Sequence, residues 1–146
     1  MMRKMTEADL PEVVALENRY FSMPWSEANL RESMQKEHYL FLVAEEEGMV
    51  VGYGGILWVA DEGDITNIVV LESYRGLGLG TALIEALLSA GRARGITSFT
   101  LEVRMSNQVA IHTYERLGFV GEGVRKRFYE APTEDALIMW KREPEQ

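Results

Sequence analysis

Cysteine is absent from this 146-residue chain. Disulfides, thiolate zinc sites, iron–sulfur clusters and a cysteine nucleophile are therefore excluded. Histidine is scarce. Only His38 and His112 occur, so a three-histidine metal site is excluded and no metal is expected. Basic residues are in deficit: 15 Lys+Arg stand against 23 Asp+Glu, a net charge of −8. Duplex nucleic acid is a poor partner for such a chain, because binding it depends on neutralising phosphates. A basic partner suits it better. Long hydrophobic runs are also missing. Stretches such as Ile65–Leu71 are too short and too interrupted to span a bilayer. The segment Met1–Leu10 has scattered charges and no apolar core of signal-peptide length. A cytoplasmic protein with no membrane partner is expected. No repeat, low-complexity stretch or Pro/Gly/Ser-rich linker divides the chain, so a single domain over 1–146 is expected.

What the chain does have is a normal share of apolar residues, 47%, enough for one core. Thr6 and Asp9 form a variant capping box ahead of a helix running to about Tyr20. Ser26 caps a second helix to about Lys36. Tyr39–Ala44 and Met49–Val59 read as a hairpin around a Glu45–Gly48 turn. Gly52, Gly54 and Gly55 in its second arm signal a bulge or a close backbone approach. After a turn at Asp61-Glu62-Gly63, Ile65–Leu71 reads as a central strand. A helix with Leu83, Ile84, Leu87 and Leu88 on one face follows the glycine-rich stretch Gly76–Gly80. Ser98–Val103 alternates, with Phe99, Leu101 and Val103 on one side and Ser98, Thr100 and Glu102 on the other. Asn107 caps a helix to Leu117, Gly118 stops it, and strands over Phe119–Phe128 and Asp135–Lys141 complete the chain. After a possible short first strand, the order is ααβββαβαββ. The expected fold is α/β, a mixed sheet with helices packed on it.

Two places carry chemistry. The first is Arg75-Gly76-Leu77-Gly78-Leu79-Gly80, between a strand and the helix that begins at Thr81. A glycine loop opening a helix exposes backbone N–H groups next to the positive end of the helix dipole, a cradle for a pyrophosphate. Neither the dinucleotide fingerprint nor the Walker loop fits. Thr81 or Leu83 stands where the fingerprint needs its last glycine, and no Gly-Lys-Ser/Thr follows. The second place is Leu101-Glu102-Val103-Arg104 with Ser106-Asn107 and, further on, Tyr114-Glu115 with Leu117-Gly118-Phe119. Alone, Glu102 is a solvated strand carboxylate, Tyr114 a half-buried helix aromatic and Asn107 an N-cap. Together, a carboxylate and a phenol downstream of a phosphate-type loop favour a functional site over these separate readings.

These motifs resemble the GNAT N-acetyltransferases. Pro24-Trp25-Ser26-Glu27, Asn67-Ile68-Val69-Val70, the Leu101–Asn107 block, the Tyr114–Phe119 block and Asp135-Ala136 with Ile138-Met139 resemble, within that family, the bacterial RimI-type ribosomal-protein-alanine N-acetyltransferases. The resemblance spans nearly the whole chain. It implies a mostly antiparallel sheet splayed at the coenzyme site, with helices on both faces, and acetyl-CoA as cosubstrate. It implies coenzyme contacts from Ile68, Val69 and Val70 on a strand edge, from Arg75, Gly76, Leu77, Gly78, Leu79, Gly80 and Thr81 on the loop, and from Asn107. Glu102 would be the general base and Tyr114 the general acid, in a direct transfer to a protein N-terminus. The most specific expectation is the N-terminal alanine of a small-subunit ribosomal protein, a basic substrate.

Two other readings stay open: a GNAT enzyme for a small amine, and an acyl-CoA-binding module without turnover. The second has no need of an acid and a base. His112, two residues before Tyr114, reads as solvent-side, and Arg125-Lys126-Arg127 as a charged edge strand rather than a phosphate patch. The residues leave the oligomeric state open.

Overall fold

A computed structural model describes residues 1–143. The strands are β1 (Met2–Lys4), β2 (Tyr39–Glu46), β3 (Met49–Val59), β4 (Glu62–Val70), β5 (Ser98–Arg104), β6 (Val120–Tyr129) and β7 (Glu134–Arg142). The helices are α1 (Leu10–Tyr20), α2 (Glu27–Met34), α3 (Leu79–Ala93) and α4 (Gln108–Arg116). Seven strands form one sheet in the order β1-β2-β3-β4-β5-β7-β6. Every neighbouring pair is antiparallel except β4 and β5. The elements and their order agree with the sequence reading, including the short first strand. Among the described residues no helix is long and apolar enough to cross a membrane.

Local chemistry explains the helix ends. The Ser26 side chain accepts from the Asn29 N–H at 3.1 Å, and Asn107 accepts from the Ala110 N–H at 3.2 Å. Gly118 ends α4 at φ +98°. One boundary differs from expectation. The turn falls on Ala60-Asp61, and Val59 pairs with Glu62. Glu62, Gly63 and Asp64 are therefore already in strand. The short tight hairpin puts their backbone groups in the ladder, which periodicity alone did not reveal.

Two apolar clusters lie on opposite faces of the sheet. On one face Leu87, Leu88 and Ile84 of α3 and Ile111 and Tyr114 of α4 pack against Ile65, Ile68, Phe99, Leu101 and Val103. On the other, Leu10, Val13 and Leu16 of α1 and Leu30 of α2 pack against Phe41, Val43, Tyr53 and Val69. Burying each such side chain contributes about 1.5–3 kcal/mol. The second cluster contains no residue of β5, β6 or β7, so that half of the sheet is left uncovered by α1 and α2.

The register of β4 slips where Gly55 faces Asn67 and Ile56 faces Ile65, which leaves Thr66 as the extra residue of a bulge. As a result Ile65 and Ile68, three residues apart, share one face. Gly54 pairs with Ile68, just past this bulge. A Cβ there would lie 2.7 Å from the Ile68 side chain and 2.9 Å from Leu87, so only glycine lets α3 approach β3 and β4 this closely.

Candidate active site

Strands β4 and β5 pair only from Glu62–Ser98 to Asp64–Thr100. Beyond that, β4 runs on to Val70 and β5 to Arg104 without pairing to each other. The sheet is therefore open at its centre, and the β5-facing edge of residues 65–70 has no strand partner. Val69 and Val70 are buried and Ile68 is partly buried on this edge.

The glycine loop closes one end of the gap. Gly76 and Gly78 adopt φ +81° and +80°, and Gly78 is the left-handed N-cap of α3. None of the backbone N–H groups of residues 76–81 donates a hydrogen bond within the described residues. The first turn of α3 holds no acidic residue to offset the helix dipole. A Cβ on Gly76 or Gly78 would meet no atom within 4 Å, so the glycines leave open space above a row of donors. That combination suits an anion. Arg75 is held in place rather than free. Its Nε donates to the Val70 carbonyl at 2.9 Å, and its guanidinium lies 4.6 Å from the Tyr20 ring centre. Leu77 is exposed at the tip, and Leu79, Gly80 and Thr81 form the first turn of α3.

The other wall is β5. Leu101 and Val103 face α3 and α4, so Glu102 faces the opposite, uncovered side of the sheet. Its side chain is 18% exposed, and Arg125 of β6 approaches it at 3.9 Å. Tyr114 reaches the region from the α3/α4 face. Its ring is buried and packs edge-on against Phe119 with centroids 5.9 Å apart. Burial pushes its phenol up to about 12, and the charge of Tyr129 pushes in the same direction. Tyr114 therefore holds its proton more firmly than the ordinary phenol near 10 that the sequence suggested. The base and acid candidates thus approach from opposite faces of the sheet. Asn107 uses its side-chain oxygen as the α4 N-cap. His112 is exposed, as expected.

Several residues of this region were not singled out in the sequence. Asp64 stands at the last paired position of β4, next to Thr100. Burial pushes its carboxyl up to about 6; the charge of Glu102 adds to the rise and Arg125 opposes it. Tyr129 is likewise pushed up to about 12, first by burial and then by Glu102. Arg104 stacks on Tyr129 at 4.5 Å and donates to the Pro132 and Glu130 carbonyls, to Glu134 and to Ser22. It ties the β6–β7 turn to the loop after α1, beside the uncovered face. The β6–β7 register jumps between Arg125 and Tyr129, and Arg127 takes φ +55°. This irregularity of an edge strand, invisible in the composition, presents Arg125 and Tyr129 together.

The acetyltransferase (GNAT) family model matches residues 10–119. The chain belongs to the GNAT family. It is an N-acetyltransferase. The chain is 38% identical over 133 residues to the ribosomal protein bS18-alanine N-acetyltransferase of Escherichia coli strain K12, covering 90% of this chain and 89% of that protein. The crystal structure of the ribosomal-protein-S18-alanine N-acetyltransferase from Escherichia coli superposes with a TM-score of 0.91 at 34% identity, covering 100% of this chain and 95% of that one. The structure of Ard1 from Thermoplasma volcanium is similar at a TM-score of 0.90 and 28% identity, over 99% of this chain and 98% of that one. GNAT enzymes generally use acetyl-CoA. The unpaired N–H row of residues 76–81 and the bare dipole of α3 fit its pyrophosphate, and the unpaired edge of β4 fits its extended arm.

Proposed function

We propose that this GNAT enzyme acetylates the α-amine of a protein N-terminus, with acetyl-CoA as the acetyl donor. The preferred substrate is a ribosomal protein that begins with alanine, as the names of the relatives suggest for those proteins. The observation that carries the reading is the break in the sheet: an unpaired edge of β4 faces β5, whose Glu102 points onto a face that no helix covers. An extended peptide can lie on that open face, beside the joined β6–β7 turn and loop after α1. Ile68, Val69, Val70, the loop Arg75–Thr81 and Asn107 hold the coenzyme, which supplies an activated acetyl thioester. The enzyme works as a single domain in the cytoplasm, and nucleic acid and membranes are not partners.

The chain's own groups then have defined tasks. An α-ammonium titrates near pH 8 and must lose a proton before it is a nucleophile. Glu102 accepts that proton, directly or through one water. A backbone N–H of the Ile68–Val70 edge offers a hydrogen bond where negative charge develops. Tyr114, kept protonated by its burial, donates a proton to the leaving group. The net charge of −8 draws in a cationic N-terminus.

A length series tests the substrate class. Peptides of one, three and six residues sharing an N-terminal alanine are compared, with mass spectrometry placing the acetyl group on the α-nitrogen. A rise in kcat/KM with length is expected. Equal efficiency for alanine amide and the longest peptide would replace the protein substrate by a small amine.

A further inference from the structure

We infer that Asp64 is a positioning residue that acts through Glu102, the two carboxylates forming a pair that holds between them the proton taken from the substrate amine. This rests on the reading of Glu102 as the base. The geometry comes from the register. Asp64 pairs with Thr100 across the parallel β4–β5 contact, and Glu102 is two residues further along β5. Side chains that are paired, or two apart on one strand, share a face, so Asp64, Thr100 and Glu102 lie on the same side of the sheet. Over β5–β7 that side carries no helix, and Asp64 marks the point where β4 and β5 part.

The immediate surroundings of Asp64 supply little to hold a negative charge. Its Oδ1 is buried and has no hydrogen-bond partner among the described residues. Such an oxygen is costly to leave unpaired and is relieved by a proton or a bound water. The groups that face it are few. Glu102 on β5 opposes a second negative charge and Arg125 on β6 favours one. Tyr39 on β2, whose hydroxyl donates to Thr66 at 2.7 Å, is held protonated, mainly by burial, and senses the charge of Asp64. Tyr129 on β6 faces Glu102 and is also held protonated. Arg125 lies 3.9 Å from Glu102, and Arg104, two residues along β5 on the same face, is engaged by Glu134 and the Tyr129 ring.

Asp64 and Glu102 share one face at neighbouring register positions, so a proton placed on one is favoured by the negative charge of the other. In the reaction the N–H bond of the ammonium breaks and its proton passes to Glu102. The charge of Asp64 stabilises that protonated state until the proton leaves to solvent. No other bond changes at Asp64. The effect exists only while Asp64 is ionised, above its midpoint near pH 6.

The test is the pH dependence of kcat/KM for Asp64→Asn, measured with acetyl-CoA and an alanine-initiated peptide. The wild-type to variant ratio is expected to be about tenfold at pH 8, equivalent to one pKa unit of lost interaction. It should fall toward one below pH 5.5, where position 64 is neutral in both proteins. In a Glu102→Gln background the same replacement should have no pH-dependent effect. A ratio that does not change with pH overturns the inference, because it means that Asp64 only supports the fold. A pH-dependent ratio that persists in the Glu102→Gln background also overturns it, because Asp64 then acts without Glu102. Glu102→Gln with unchanged activity marks failure of the base assignment itself, a separate result. If Asp64→Asn does not fold, carbon-13 NMR of the wild-type carboxyls decides. Two inflections shared by Asp64 and Glu102 support the pair, and independent single inflections refute it.

Discussion

Replacing Gly80 with alanine should make the free protein more stable and the enzyme worse at holding its coenzyme. Gly80 lies in the first turn of α3, and a Cβ there would come no closer than 3.9 Å to Val70, an ordinary contact. Glycine costs a helix about 0.5–1 kcal/mol relative to alanine. Gly80→Ala should therefore raise Tm by about 1–3 °C in a chain of this size. Gly78→Ala is the counterpart. At φ +80° a Cβ is strained although the space is empty, so it should lower Tm by about 2–4 °C, for a cost of about 1 kcal/mol. Both positions lie within the unpaired N–H row of residues 76–81. Both should weaken acetyl-CoA binding about tenfold or more, equivalent to about 1.4 kcal/mol. Scanning calorimetry of the free protein and titration calorimetry with acetyl-CoA separate the two effects. Gly80→Ala that binds as tightly as wild type would refute the placement of the pyrophosphate on this turn. Gly80→Ala that lowers Tm would refute the helix argument.

Two further outcomes are expected. Tyr114→Phe should leave stability within about 0.5 kcal/mol, because the ring keeps its packing and the hydroxyl makes no hydrogen bond to the described residues, while turnover falls roughly a hundredfold; denaturant melts beside steady-state rates check this, and unimpaired turnover removes Tyr114 as the acid. Asp9 should govern part of the acid unfolding. Arg3 donates to both its oxygens at 2.8 Å and holds its carboxyl below the usual range, so the stabilisation is present above the ordinary carboxylate pKa and lost as pH falls through the depressed one. Asp9→Asn should cost about 2 kcal/mol at pH 7 and flatten the loss of stability below pH 4 in urea melts; an unchanged acid slope would mean that this pair does not govern it.

Local signals reached as far as local physics does. The caps at Ser26 and Asn107, the stop at Gly118, the alternation of β5 and the glycine turn before α3 each depend on a few consecutive residues, and each was legible in the chain. Glu102, Tyr114 and the loop from Arg75 to Thr81 could be put forward as candidates from the chain, because motif spacing carries them. The opening between β4 and β5 was not legible there. It depends on which strands become neighbours and on where their pairing stops, at Asp64 and Thr100, and no local pattern encodes that distance. The bulge at Thr66 was hinted at by Gly54 and Gly55, yet its consequence, Ile65 and Ile68 on one face, breaks the two-residue period on which strand reading relies. Asp64 was not singled out in the chain. Only the parallel register brings it beside Thr100 and onto the face of Glu102, and only burial there shifts its titration. By itself the sequence determined the elements and the glycine loop and supplied the candidate side chains, because these follow from backbone preference and residue type. The tertiary structure decided their faces, the open cleft and the electrostatic coupling, because these arise from residues far apart in the chain that share one small volume.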